Sequence, residues 1–353
     1  MPIPSRKMLD FEGFKKKYQE APVEEYPNRV VDTIREPVVS VHVSTYQHAE
    51  FISDCLDGAL MQDTDFPVEI LIGEDESTDG TREICKNYAD RYPDKIRLFL
   101  HRRENNIQIH GRATGRFQST YTRFKCRGKY IAVCEGDDYW TDPKKLQKQV
   151  EFLESYEECV LSYHPWITTY GKNDRENQEG LIRRAKKDGD VRYDPLQFTF
   201  VYENMYDEYP ESGLQSMLGD VITRRRLSEY GSECLCRSVK PGIHREHNNN
   251  LYSSNEELDN KIVMADSLAC ALSVVKSHDN KEKIKKDIYH CIVAAIIYSV
   301  KKPLIVPESY KSIASLVGNI YQKGIFFDVI KNVLRMGTSK IVEKLATSET
   351  NKN

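Results

Sequence analysis

No hydrophobic run in this 353-residue chain is long enough to cross a bilayer. The longest strongly apolar stretch, Cys291 to Val300, stops at Lys301-Lys302, well short of the roughly 20 residues a spanning helix needs. The opening Met-Pro-Ile-Pro-Ser-Arg-Lys has no apolar core of the signal-peptide kind. The expectation is therefore a cytoplasmic protein, at most peripheral to the inner face of a membrane. A strong charge of either sign is also missing: the net charge is −3, with no whole-chain bias towards nucleic acid, and no nucleic-acid partner is expected. Paired cysteines at zinc-site spacing are absent, since Cys234-Leu-Cys236 has no second pair to complete it. Nine cysteines, an odd number with several inside apolar periodic segments, read as buried reduced thiols. There is no internal repeat.

What the chain does contain is an alternation of strand and helix signals. Val38–Val43, Val68–Gly73, Ile96–Leu100 and Tyr130–Cys134 are short apolar runs of strand length. Between them, Phe51, Ile52, Cys55, Leu56, Ala59 and Leu60 recur at helical spacing. Ser77, Thr78 and Asp79 offer caps for a helix carrying Ile84, Tyr88 and Tyr92. A further helical stretch covers about 113–125. Such alternation implies right-handed βαβ units and a mainly parallel sheet. After the fourth strand, Asp142 is placed to cap a helix with Pro143 in its first turn. Cys159–Ile167 reads as one more strand, and residues 170–195 as a charged loop over the site. The expected organisation is an extension over 1–36 with a short helix near Phe11–Tyr18, an α/β domain over 37–250, a helical region over 251–345 and a polar tail over 346–353.

Ligands of parallel sheets bind beyond the carboxyl ends of the strands. Three polar clusters fall there: Ser44-Thr45-Tyr46, Glu74 to Asp79, and Glu135-Gly136-Asp137-Asp138. The last puts three carboxylates within four residues directly after an apolar strand. Adjacent carboxylates repel one another, and a hard divalent cation with oxygen ligands relieves that repulsion.

In these blocks the chain resembles the inverting family-2 glycosyltransferases of the GT-A fold. Val38–Tyr46 is similar to the family's opening strand, and Gly73 to Thr81 to its nucleotide-binding turn. Gly128 to Asp138 is similar to its metal-binding strand and turn. The resemblance covers about residues 38–250 and implies a sugar transfer from a nucleotide donor, most readily UDP-linked, to a saccharide or lipid-linked saccharide acceptor. The setting it suggests is surface polysaccharide or lipopolysaccharide assembly. It implies Mn²⁺ or Mg²⁺ held by Asp137, Glu135 and His247, and donor contacts from Thr45, Tyr46, Glu74, Asp75, Asp138 and either Arg112 or Arg116. Asp220, in Leu218-Gly219-Asp220-Val221, takes the position of the catalytic base. Two positions depart from the family pattern. Glu74 and Glu135 stand where Asp is usual, and the longer Glu135 side chain suits an outer-shell or ribose contact.

Two rival functions remain open at this level. A nucleotidyltransferase also uses acidic metal sites, but Val43 to His48 has none of the glycine of a phosphate-binding loop. A catalytically degenerate module would bind a nucleotide sugar or glycan without turnover. A homo-oligomer is compatible with the sequence. An apolar face formed by Ile325, Phe326, Val329, Ile330, Val333 and Leu334, flanked by basic residues, suits packing or an anionic membrane surface.

Overall fold

The computed structural model describes residues 7–27, 29–109, 111–170, 178–247 and 257–301. The chain divides into two compact units. One comprises Leu9–Tyr209 with Tyr230–His247; the other comprises Met1–Met8, Pro210–Glu229 and Asn248–Asn353. The amphipathic face near Ile325 and the polar tail lie outside the described residues.

The first unit begins with helix α1 (Phe11–Tyr18) and strand β1 (Glu24–Tyr26). The alternating part follows as β2 (Val39–Thr45), α2 (Ile52–Leu60), β3 (Val68–Glu74), α3 (Thr81–Arg91), β4 (Ile96–Leu100), α4 (Arg116–Phe124) and β5 (Tyr130–Glu135). Then come α5 (Lys145–Ser155), β6 (Cys159–Tyr163), β7 (Trp166–Tyr170), α6 (Gln178–Asp188), β8 (Val201–Glu203), β9 (Ser232–Leu235) and β10 (Gly242–Glu246). Eight strands form one sheet in the order β9-β6-β8-β5-β2-β3-β4-β1. Its centre, β5-β2-β3-β4, is parallel, and β8 and β1 run antiparallel to their neighbours.

The parallel centre is buried on both faces, as crossover helices require. Val39, Val41 and Val43 on one side of β2 join Ile52, Leu56, Ile70, Ile72, Leu98 and Ala132 in the main core. On the opposite side, Ser40 Oγ and the Arg127 guanidinium donate to buried Glu69, so this carboxylate is paired within the sheet. Phe14 of α1 stacks on Phe117 at 5.1 Å, and β1 closes the edge beside β4.

Several expectations are corrected. Cys159–Ile167 is two strands, not one, because Pro165 has no N–H to give to a ladder. The break sends β7 out of the main sheet to pair in parallel with β10. Residues 170–195 are not simply a loop. They contain α6, whose Leu181, Ile182 and Ala185 pack on Ile167 and Ile243. Asp142 does not cap α5. It accepts from the N–H groups of Lys144 and Lys240 and from Lys148 Nζ. Cys159 and Cys234 form a disulfide, so not all nine cysteines are reduced; the other seven are free. Parallel pairing of β9 with β6 brings these two together, with Cα atoms 5.9 Å apart across a separation of 75 residues.

The second unit contains α7 (Gly219–Leu227) and, beyond residue 251, α8 (Glu257–Ala271) and α9 (His278–Lys301). Arg225 pairs with Asp287 at 2.7 Å, and Glu229 accepts from the N–H groups of Lys276 and Ser277 ahead of α9.

Candidate active site

The parallel register puts the ends of three strands in line: Thr45 lies opposite Glu74, and Ser44 opposite both Gly73 and Glu135. Each chain then turns away, leaving side chains from three segments to converge beyond the sheet.

One cluster holds His48, Asp137 and His247, whose ligand atoms lie within 4.8 Å of one another. His247 Nε2 is 3.1 Å from Asp137 Oδ2, and His48 Nε2 is 3.8 Å from the same oxygen. Thr45 Oγ1 lies 3.3 Å from His48 Nδ1, which orients the ring with Nε2 towards Asp137. Phe51 stacks on His247 with centroids 4.7 Å apart. Burial opposes ionisation of Asp137, but the charge of His48 and the hydrogen bond and charge of His247 outweigh it and hold its pKa down to about 2. One carboxylate and two imidazoles form a donor set that fits a borderline divalent ion such as Mn²⁺ better than Mg²⁺.

Gly136 makes this convergence possible. A Cβ at that position would sit 2.6 Å from Thr45 Oγ1 and 2.8 Å from His48 Nδ1. Gly136→Ala is therefore expected to displace His48, weaken Mn²⁺ binding and cost about 1–3 kcal/mol of stability. Thermal melting with a Mn²⁺ titration checks both effects.

The second cluster surrounds Asp75. Its Oδ2 accepts from Arg103 Nη1 and Asn106 Nδ2, each at 3.0 Å, while its Oδ1 is buried with no hydrogen-bond partner. The Arg103 guanidinium lies over the Tyr46 ring at 3.9 Å, and Tyr46 is partly exposed. Burial pushes the Asp75 carboxyl up to about 6, against the lowering effects of Asn106 and Arg103. A buried carboxylate oxygen without a donor, beside a solvent-facing aromatic ring, is chemically suited to a planar ligand bearing an N–H group.

The expected residues separate clearly. Asp137 and His247 meet; Thr45 reaches His48, its carbonyl accepts from the Asp75 N–H at 3.1 Å, and Tyr46 stacks with Arg103. Glu135 lies at the end of β5, outside the set of converging ligand atoms, and His48 lies within it. Glu74 is turned inward, accepting from the Ser77 N–H at 2.6 Å and pairing with Arg82. Asp138 is buried and accepts from His244 Nδ1 and the Arg245 N–H, each at 3.0 Å, so it ties the turn to β10. Burial raises the Asp138 pKa; burial opposes protonation of His244, but the Asp138 charge and hydrogen bond lift His244 to about 9. Arg116 is buried and donates to the Tyr209 hydroxyl at 2.9 Å, and Arg112 is exposed on a two-residue strand, Arg112–Ala113. The arginine that donates to Asp75 is Arg103. Asp220 lies half-buried in the first turn of α7, in the second unit.

Sequence reasoning missed His48, Arg103 and Asn106. The only local signal for His48 was its place three residues beyond Thr45, at the end of a parallel strand.

Residues 40–208 match the model of glycosyl transferase family 2, and this domain belongs to that family. An uncharacterized protein of Mycobacterium tuberculosis is 40% identical over 140 residues, covering 40% of this chain. The match spans only 38% of that relative's length. TuaG of Bacillus subtilis, named as a teichuronic acid biosynthesis glycosyltransferase, is 32% identical over 128 residues, 36% of this chain and 46% of its own. Among solved structures, S. aureus TarS 1-349 is similar with a TM-score of 0.50 at 13% identity, covering 81% of this chain and 80% of that one. That likeness shows the fold, the GT-A arrangement of a mainly parallel sheet between helices. The family match decides against the nucleotidyltransferase alternative.

Proposed function

We propose that this chain is a metal-dependent, inverting glycosyltransferase that moves a sugar from a UDP-linked donor to a saccharide acceptor. The observation that carries the reading is the meeting of His48, Asp137 and His247 beyond the strand ends, together with the unpartnered Asp75 oxygen just past the end of β3. Asp75, ionised at neutral pH, accepts the N3–H of uracil. Tyr46 and Arg103 frame the base. His48, Asp137 and His247 would hold the divalent ion. When bound, that ion supplies Lewis-acid stabilisation of the charge that grows on the leaving diphosphate. The transition state at the anomeric carbon has oxocarbenium character, as in glycoside hydrolysis. The acceptor hydroxyl attacks from the face opposite the diphosphate and gives its proton to a carboxylate base, assigned to Asp220. Assembly of a surface polysaccharide on a lipid-linked acceptor fits this reading, and the Bacillus relative is named for teichuronic acid biosynthesis.

Calorimetric titration with UDP, GDP and ADP in the presence of Mn²⁺ tests the donor, with UDP expected to bind most tightly. A panel of UDP-sugars read for UDP release separates an enzyme from a module that binds without turnover. Asp220→Asn keeps the side-chain size but loses the base. A fall in kcat of roughly 10²-fold or more is expected. UDP affinity should change less than about threefold, under ~0.7 kcal/mol. Near-normal kcat in this variant would move the base to another carboxylate.

A further inference from the structure

Arg245 is fully buried on β10, two residues before His247. Its N–H donates to Asp138 Oδ1 at 3.0 Å, and its Nη1 reaches the Asp137 carbonyl at 3.4 Å. Its Nη2 donates to Asp54 on α2, 191 residues away in sequence. The guanidinium lies 4.4 Å from the Tyr139 ring and 5.4 Å from the Phe51 ring. Phe51 in turn stacks on His247. One side chain therefore joins the three segments that present the cluster: the start of α2, the acidic turn and the end of β10.

We propose that Arg245 is a positioning residue that sets the Asp137 turn for metal binding, held in place by Asp54. The proposal rests on the reading of His48, Asp137 and His247 as a metal site. A rigid planar fork bonds two directions at once, whereas a lysine ammonium on a flexible stem does not fix both. Groups that orient metal ligands in this way typically change metal affinity by about 10–100-fold when lost. Removing Arg245 alone takes a cationic partner from the buried Asp54 carboxylate and threatens folding; removing both charges together avoids that penalty.

The test compares wild type, Arg245→Lys and the double variant Asp54→Asn/Arg245→Met as full chains. Mn²⁺ binding is followed by electron paramagnetic resonance, UDP binding by calorimetry without metal, and amide exchange without metal by mass spectrometry. The double variant is expected to melt within a few degrees of wild type and to bind UDP normally without metal. Mn²⁺ should bind roughly 10–100-fold more weakly. Exchange should quicken across residues 135–140 and stay unchanged in β2 and β3. Arg245→Lys should lose Mn²⁺ affinity in the same direction. Mn²⁺ affinity within twofold of wild type in the double variant, or unchanged exchange over 135–140, overturns the proposal. If wild type itself binds no Mn²⁺, the metal reading fails, and the exchange result alone decides whether Arg245 sets the turn.

Discussion

Asp137→Ala is expected to abolish measurable transfer. Asp137 is the carboxylate shared by both imidazoles of the cluster, at 3.1 Å from His247 and 3.8 Å from His48. Lewis-acid stabilisation of a leaving diphosphate is worth several kcal/mol, so kcat should fall by roughly 10³-fold or more. Excess EDTA should reproduce the loss in wild type, and added Mn²⁺ should restore it. Retained turnover in the variant, or in EDTA, would rule out the metal-dependent mechanism. From the sequence, Asp137 looks like one of three mutually repelling carboxylates whose removal relieves strain. The structure gives it the opposite character without metal, since His48 and His247 lower its pKa to about 2 despite burial. A carboxylate with a depressed folded-state pKa contributes stability above its ordinary value. That contribution is lost as pH falls from about 4 towards 2. Asp137→Ala should therefore remove part of the acid sensitivity, which acid unfolding of both proteins without metal will read.

The second large effect is expected at Asp75. Its carboxyl is pushed up to about 6 by burial, and its Oδ1 has no donor. The ionised form is the acceptor a base N–H needs, so UDP affinity should rise between pH 5 and 7 and level off above. Asp75→Asn should lose about 1.5–3 kcal/mol of charge-assisted hydrogen bonding, a roughly 10- to 100-fold weaker complex. It should also lose the part of the pH dependence that belongs to the protein. Comparing the two proteins cancels the titration of the UDP diphosphate. For folding the sign is the reverse of that at Asp137. A raised carboxyl keeps its proton longer in the folded state, so this group's contribution to stability falls as pH rises from about 4 to 6. An affinity profile identical in both proteins would remove Asp75 from the base pocket.

Local spacing carries information about local structure, and here it carried a great deal. Apolar runs of strand length, helical periodicities between them and polar residues at each strand end were enough to place β2, β3, β4 and β5. They also put Thr45, Asp75 and Asp137 at the same end of one sheet. The strand register then fixes those residues as neighbours, because parallel pairing aligns Thr45 with Glu74 and Ser44 with Glu135. The sequence by itself determined the fold class, the acidic turn and the side of the sheet on which the site lies.

Only the tertiary structure decided which side chains face that site. His48 and His247 both reach Asp137, although His247 stands 110 residues from it. No periodicity records such a meeting. Glu74 and Asp138 are expected as donor contacts from the sequence, and the structure adds protein partners to each: Arg82 and the Ser77 N–H for one, His244 and the Arg245 N–H for the other. Arg103 donates to Asp75, while Arg116 donates to the Tyr209 hydroxyl. Pro165 was visible, but its consequence, a strand redirected to pair with β10, depended on a partner 76 residues further on, where Trp166 meets Gly242. A buried polar group must find a partner wherever the chain's folding puts one. Which partners each buried carboxylate finds is therefore decided by three-dimensional neighbours, which the order of residues does not list.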